Sequence, residues 1–382
     1  MSKARELAEL GAAYDSGALS NRNIIINGAM NVSQRATSST GVGGSSGYFT
    51  CDRWKITTDA TAGRVTMTQE SDGPDGFANS IKLATTTADT SIAAGELFIL
   101  GQSIEAQDLQ QIKKGTSAAE SVTVSFYVKA NASATYVAEL YDHDNTRNNT
   151  RAFTVGTDWS RVELTFAADT TGALGDDNAA GMTFQIWLHA GSTYSGGTFS
   201  DNTWQSVTAA NRYAGSRTSI FDSTSRTLFI TGVQLEVGTE ATPFEHRTFH
   251  DEFQRCSRYY QHSNGTGVKP TNGSDATSFG TGYRALAPVN MWGGSTAGRV
   301  WEMVRSAPMR ATPTGTKFGN DSGYYGCIVH GSTSAPNADN SLTFHENLML
   351  RTEDSCFISF DNQSSGNTVW GVMGGFELDA EL

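Results

Sequence analysis

At 382 residues, with 27 Lys and Arg against 39 Asp and Glu, the chain carries a formal charge of −12, which repels a phosphate backbone or an anionic membrane surface. Forty Gly, 7 Pro and 17% charged residues describe short strands joined by turns and exclude a mainly helical body with salt-bridged faces. No apolar run approaches the roughly 18 residues of a membrane span, and Cys51, Cys256, Cys327 and Cys356 form neither a zinc nor a disulfide pattern.

The first twenty residues lack the apolar core of a secretory signal, so synthesis in a cytoplasm is expected. Ala4, Leu7, Leu10, Gly11 and Tyr14 recur at spacings of three and four, which predicts a short helix over residues 1–20. A helix this short needs a partner to persist in water. Leu7, Leu10 and Tyr14 are therefore expected to dock on another subunit or another protein.

Residues 21–248 read as one domain. IIINGAMNVSQRAT predicts a strand, an Asn27-Gly28 turn and a second extended piece. Period-two alternation then marks Val122 to Val128, Met182 to Leu188 and Leu228 to Val237 as strands with one buried and one wet face. The parity of the last strand shifts by one at Gly232, which predicts a bulge. Strands at this density fit an antiparallel β-sandwich.

Beyond Pro243, Phe249, Phe253, Cys256 and Tyr260 fall at spacings of four, three and four, predicting a linking helix over 249–262. Adjacent helical positions diverge by about 100°, so Tyr259 is expected to face away from that stripe, toward a neighbouring subunit. A polar, glycine-rich turn follows, and residues 263–382 read as a second, smaller all-β domain.

With NRNIIINGAMNVSQRAT, YFTCDRWKI, ITGVQLEVGTEATPFEHRTFHDEFQRCSRYYQ, MRATPT and the terminal DAEL in view, the chain resembles bacteriophage virion fibre proteins. These are tail or head fibres built around a carbohydrate-binding-module-like jelly roll. The resemblance covers residues 21–262, with a looser match beyond. It implies a homotrimer on the virion surface, a jelly-roll fold, attachment to another virion protein through the N-terminus, and a host-surface glycan as ligand. Related sandwich modules hold a structural calcium through an Asp on the last strand; this chain has Thr231-Gly232 there, with Glu236 as the nearest substitute. No cofactor is therefore expected; a structural calcium, which needs several oxygen ligands, is left as an alternative through Glu236.

Catalytic patterns are thin. No HExxH, GxSxG or phosphate loop occurs. The adjacent acids Asp142 and Asp144, and Asp176-Asp177, sit in turn sequences where Asp is favoured by backbone hydrogen bonding alone. Sugar rings instead stack on aromatic faces beside polar side chains. Trp159, Trp187, His189, Tyr194 and Trp204 cluster in the later strands and loops. Trp187 is out of phase with Phe184, Ile186 and Leu188, so it is expected to be exposed, and Trp187, His189, Tyr194 and Trp204 form the expected glycan patch. The expected function is non-enzymatic adhesion by a fibre, against a capsid decoration protein or a polysaccharide-degrading spike.

Overall fold

In the computed structural model, residues 21–262 are described throughout, together with Lys3. Further along, strands between 284 and 379 are described as backbone, and residues 308–314 and 377–382 with side chains. The expected docking helix, with Leu7, Leu10 and Tyr14, lies outside the described residues. The chain divides into two compact units: Met1–Val32, Thr37–Glu252 and Leu382 form the first, Ser33–Ala36 and Phe253–Glu381 the second.

The first unit runs through β1 (Ser38–Val42), β2 (Gly47–Tyr48), β3 (Lys55–Asp59), β4 (Arg64–Glu70), β5 (Ser80–Thr87), β6 (Leu97–Glu105) and β7 (Val122–Ala130). It continues with β8 (Ala134–Asp142), β9 (Arg147–Val155), β10 (Ser160–Phe166), β11 (Ala180–Ala190), the one-turn helix α1 (Ser192–Ser195), β12 (Gln205–Ser206) and β13 (Thr227–Val237). Two antiparallel sheets result, in the orders β1-β4-β5-β13-β7-β10 and β12-β9-β8-β11-β6-β3-β2. The chain passes repeatedly from one sheet to the other, the jelly-roll form of a sandwich. Alternation decides the core: Val124, Phe126 and Val128 from one sheet meet Leu140, Phe184 and Ile186 from the other, all fully buried. Among the described residues no helix is long and apolar enough to cross a membrane.

β13 carries the expected bulge. Its register with β7 breaks between Thr231 and Gln234, and Gly232 has φ +63°. A Cβ there would lie 2.8 Å from Phe77 Cζ and 2.9 Å from Tyr127 Cδ2, so both the backbone and the rings above it require glycine.

The expected strand at Ile24–Asn27 is not one. Residues 24–27 form no strand, because side chains take the place of ladder partners. Asn23 donates from Nδ2 to Val233 O and accepts Leu235 N–H. Asn27, fully buried, binds Val32 O, Val32 N–H and Asp52 O. A Cβ on Gly28 would stand 2.1 Å from Val233 O. The distant segment after β13 closes the same knot: Glu245 Oε2 accepts Asn23 N–H at 2.9 Å, and Arg247 donates to Ile25 O and Asn23 O. Two of the sequence motifs that carry the resemblance are thus the two halves of one interlock.

Helix α2 (Phe249–Ser257) begins where Thr248 Oγ1 accepts Asp251 N–H at 3.2 Å. It is shorter than expected and ends at Ser257. In the second unit Tyr260–His262 is not helical but forms β14, paired with β23 (Thr368–Asp379). The 100° argument therefore does not apply to the Tyr pair. Tyr259 and Tyr260 are each 1% exposed, so the expectation that Tyr259 faces a neighbouring subunit is corrected: its ring is already buried within this chain.

The remaining described strands of the second unit are β15 (Arg284–Leu286), β16 (Arg299–Arg305), β17 (Thr314–Phe318), β18 (Gly326–His330), β19 (Pro336–Asp339), β20 (Leu342–Phe344), β21 (Leu350–Arg351) and β22 (Ser355–Asn362). β14, β15, β17 and β18 all pair with the long β23, while β16, β20 and β21 pair with β22. This unit is all-β among its described residues apart from the end of α2. Arg35 fastens to its C-terminal strand, reaching Asp379 at 2.9 Å and Glu381 at 3.3 Å and lying 3.7 Å over the Tyr260 ring.

Candidate functional site

Of the four residues expected to form a glycan patch, Trp187 and Tyr194 meet ring to ring, while His189 and Trp204 are engaged elsewhere. Trp187 does point away from the main core, as its phase requires, but it is fully buried. The connection from β11 to β13 folds across that face of the seven-stranded sheet and seals a second small core of Leu97, Ile99, Val137, Trp187, Ala190 and Tyr213. The Trp187 ring stacks with Tyr213, meets Tyr194 at 5.4 Å and lies 4.5 Å from the Arg212 guanidinium. Its Nε1–H donates to Glu139 Oε2 at 2.6 Å, and the same buried carboxylate accepts two bonds from Arg212 and one from Asn148. The expectation that Trp187 is exposed is corrected: period two sets direction, and a remote loop supplies the cover.

His189 is also fully buried, with Nδ1 2.8 Å from Ser219 Oγ and Nε2 3.1 Å from Glu96 Oε2. Burial pushes its imidazole below the ordinary range, against the opposing pull of Glu96 and Asp89. Tyr194 is half-buried on α1. Trp204 sits apart, half-buried, its Nε1–H bonded to Ala167 O and its ring 5.2 Å from the Lys114 ammonium. That ammonium is itself buried between Asp142 and Asp169.

The acid pairs behave as turn residues. Asp144 accepts Gly175 N–H, Asp177 accepts Ala179 N–H, and Asp142 is tied to Lys114 at 2.5 Å and to Asn145 N–H. Glu236, the nearest acid to the expected calcium position, has its oxygens filled by Thr242 N–H, Thr242 Oγ1–H and Gln234 Nε2–H.

Half-exposed aromatics gather instead on the solvent side of the six-stranded sheet. Strand pairing sets Phe229 of β13 between Lys129 of β7 and Lys82 of β5, and Trp159 stands at the head of β10 beyond Lys129. The Lys129 ammonium lies 5.1 Å from the Trp159 ring and 4.7 Å from the Phe229 ring; that of Lys82 lies 5.4 Å from Phe229. Asp72 accepts from Lys129 at 2.5 Å and from Trp159 Nε1–H at 3.2 Å, and Glu70 pairs with Lys82 at 3.1 Å. The bond from Lys129 holds the Asp72 carboxyl below its ordinary range. Further down the face, Tyr127, Phe77, Phe244 and His246 meet ring to ring at 4.9 to 5.2 Å.

The signal for this surface was available. Lys82, Lys129 and Phe229 occupy the polar phase of their strands, and Phe229 is an aromatic out of phase with Leu228 and Ile230. Nothing local pointed to Trp159 joining them, because its place depends on the pairing of β10 with β7.

No family model and no curated protein matches the chain. Among solved structures it is similar to a family 30 carbohydrate-binding module, at 13% identity over 61% of this chain and 95% of that one, TM-score 0.30. It is similar also to the family 11 carbohydrate-binding module of a Clostridium thermocellum cellulosomal cellulase, at 9% identity over 54% and 98% of the two chains, TM-score 0.26. A third is the enzymatically active domain of tailspike protein 4 of bacteriophage CBA120, at 13% identity over 56% of this chain and TM-score 0.27. The match spans 21% of that tailspike chain. The assignment of a sandwich rests on the sheet order itself and not on these likenesses.

Proposed function

We propose that this chain is a non-enzymatic adhesive protein of a phage virion surface, holding host glycans on the solvent side of its six-stranded sheet. The observation that carries the reading is the row Trp159, Lys129, Phe229 and Lys82 across four neighbouring strands. Such a row offers flat apolar faces for the C–H side of a sugar ring, with Asp72 and Glu70 to accept from hydroxyls and two ammonium groups to donate. It is shallow, so each site is weak. Three copies in a trimer, and several trimers on a particle, multiply the effective affinity without any tight single contact. The virion setting is supported by the motif resemblance of residues 21–37 and 230–261.

Binding of Phe229→Ala and Trp159→Ala to host-cell polysaccharide tests the surface. Each should lower affinity roughly tenfold, the equivalent of about 1.4 kcal/mol and one lost stacking contact, with the far-ultraviolet dichroism and the unfolding temperature of the fold little changed. Unaltered affinity in both folded variants removes the site. Release of reducing ends by the wild-type chain would overturn the non-enzymatic reading, and a labelled chain absent from intact particles would overturn the virion setting.

A further inference from the structure

We propose that Asp89, Glu96 and His189 form a site for one divalent transition-metal cation, Zn2+ by its chemistry, which staples the loops at one end of the sandwich. The three are 5%, 4% and 0% exposed, and one donor atom from each lies within 4.8 Å of the others. Asp89 follows β5, Glu96 precedes β6, and His189 stands near the end of β11, so three strand ends converge on the cluster.

Charge is the first argument. Two buried carboxylates face one imidazole, and among the described residues no Lys or Arg pairs with either; the one ion pair of Glu96 is with His189. A buried carboxylate without a counter-charge costs several kcal/mol, and a dication cancels two.

Orientation is the second. His189 Nδ1 is held by Ser219 Oγ at 2.8 Å, which aims Nε2 at the carboxylates, the arrangement in which an outer partner fixes the ring of a metal-binding histidine. The carboxylates are held likewise: Asp89 Oδ2 accepts Thr61 Oγ1–H and Ala62 N–H, and Glu96 Oε1 accepts Ala93 N–H. Glu96 Oε2 is thus left facing the ring, 3.1 Å from His189 Nε2, and the Asp89 carboxyl lies within hydrogen-bond reach of Glu96. Zinc bonds of about 2.0–2.2 Å in a tetrahedron put ligand atoms roughly 3.3 Å apart. The 3.1 Å between His189 Nε2 and Glu96 Oε2 is close to that spacing. One imidazole and two carboxylates suit Zn2+, whereas Ca2+ takes six or more oxygens.

The test uses the full chain stripped with EDTA. With zinc chloride, native mass spectrometry should show one retained ion per chain, and the unfolding temperature should rise by about 5 °C or more; calcium chloride should give a smaller rise. Glu96→Gln, which keeps an acceptor for Ala93 N–H, and His189→Ala should each weaken zinc binding at least a hundredfold. Should those variants fail to fold, Co2+ added to the wild-type chain decides: visible absorption bands of a nitrogen- and oxygen-ligated ion, bleached by zinc, support the site. Wild-type protein that neither retains zinc nor shifts its unfolding temperature overturns the proposal. So does full zinc retention in folded Glu96→Gln and His189→Ala proteins.

Discussion

Asp169 shows how one carboxylate can hold an open end of the sandwich. It takes two bonds from Arg147, at 2.9 and 3.1 Å, and lies 3.1 Å from the buried Lys114 ammonium, which also reaches Asp142. Burial alone would raise its pKa, yet the bonds from Arg147, Lys114 and Thr171 outweigh that and hold it below the ordinary 3.8. A carboxyl depressed in the folded state adds stability that is present above its unfolded value and is lost as pH falls through the folded one. Asp169→Asn should therefore destabilise the protein by about 3 kcal/mol at pH 7, since it takes from Arg147 its carboxylate and from the buried Lys114 one of its two. The gap to wild type, followed by urea unfolding, should narrow as pH drops below 3.8. A gap that stays constant with pH would show that the ion pairs are not its source. The same cluster explains Trp204, whose ring covers Lys114 and is committed to packing.

At the scale of elements, β13 is the strand on which most depends. It pairs with β5 over Thr227–Ile230 and with β7 along most of its length, and its bulge resets which residues face the core. Val233 and Leu235 point inward after the bulge as Leu228 and Ile230 do before it. Gly232→Ala would need φ +63° from a residue with a Cβ and would push that Cβ into Phe77 and Tyr127. The expected loss is about 2 kcal/mol or more in unfolding free energy. Stability equal to wild type would mean that the bulge does not need glycine. Helix α2 teaches the converse: its stripe was legible, but its length was not. Pairing with β23 draws residues 260–262 into a strand, and Phe249 at the other end is 49% exposed. A long-range partner outcompeted local periodicity there.

Across the whole first unit, the segment near residue 23 and the segment near residue 247 are held by bonds spanning more than 220 positions. Arg247 supplies the charge at this closure. Its guanidinium faces Ile25 O and Asn23 O, with Glu245 at 3.5 Å and Glu252 at 3.6 Å. Glu252 in turn accepts Asn27 N–H at 2.6 Å. The guanidinium is thus set among two carbonyls and two carboxylates. Arg247→Met should cost about 3 kcal/mol by stranding two acids. Amide exchange at Asn23, Ile25 and Asn27 should quicken before that of β7; unchanged protection at those three amides would refute the interlock.

Much of this was readable from residues alone. Alternation in Val122–Val128, Met182–Leu188 and Leu228–Val237, together with the parity slip at Gly232, determined an all-β sandwich with a bulged last strand, because the direction of a side chain on a strand is a local property of period two. The coverage of a face is not local. Trp187 pointed where its phase said, but Tyr194, Tyr213 and Arg212 arrive over it from a connection that carries no such period, and the half-exposed aromatics were left to the opposite sheet. Only the tertiary structure decided that exchange, and only it brought Asp89, Glu96 and His189 within reach of one another, since no spacing along the chain reports which strand ends will meet.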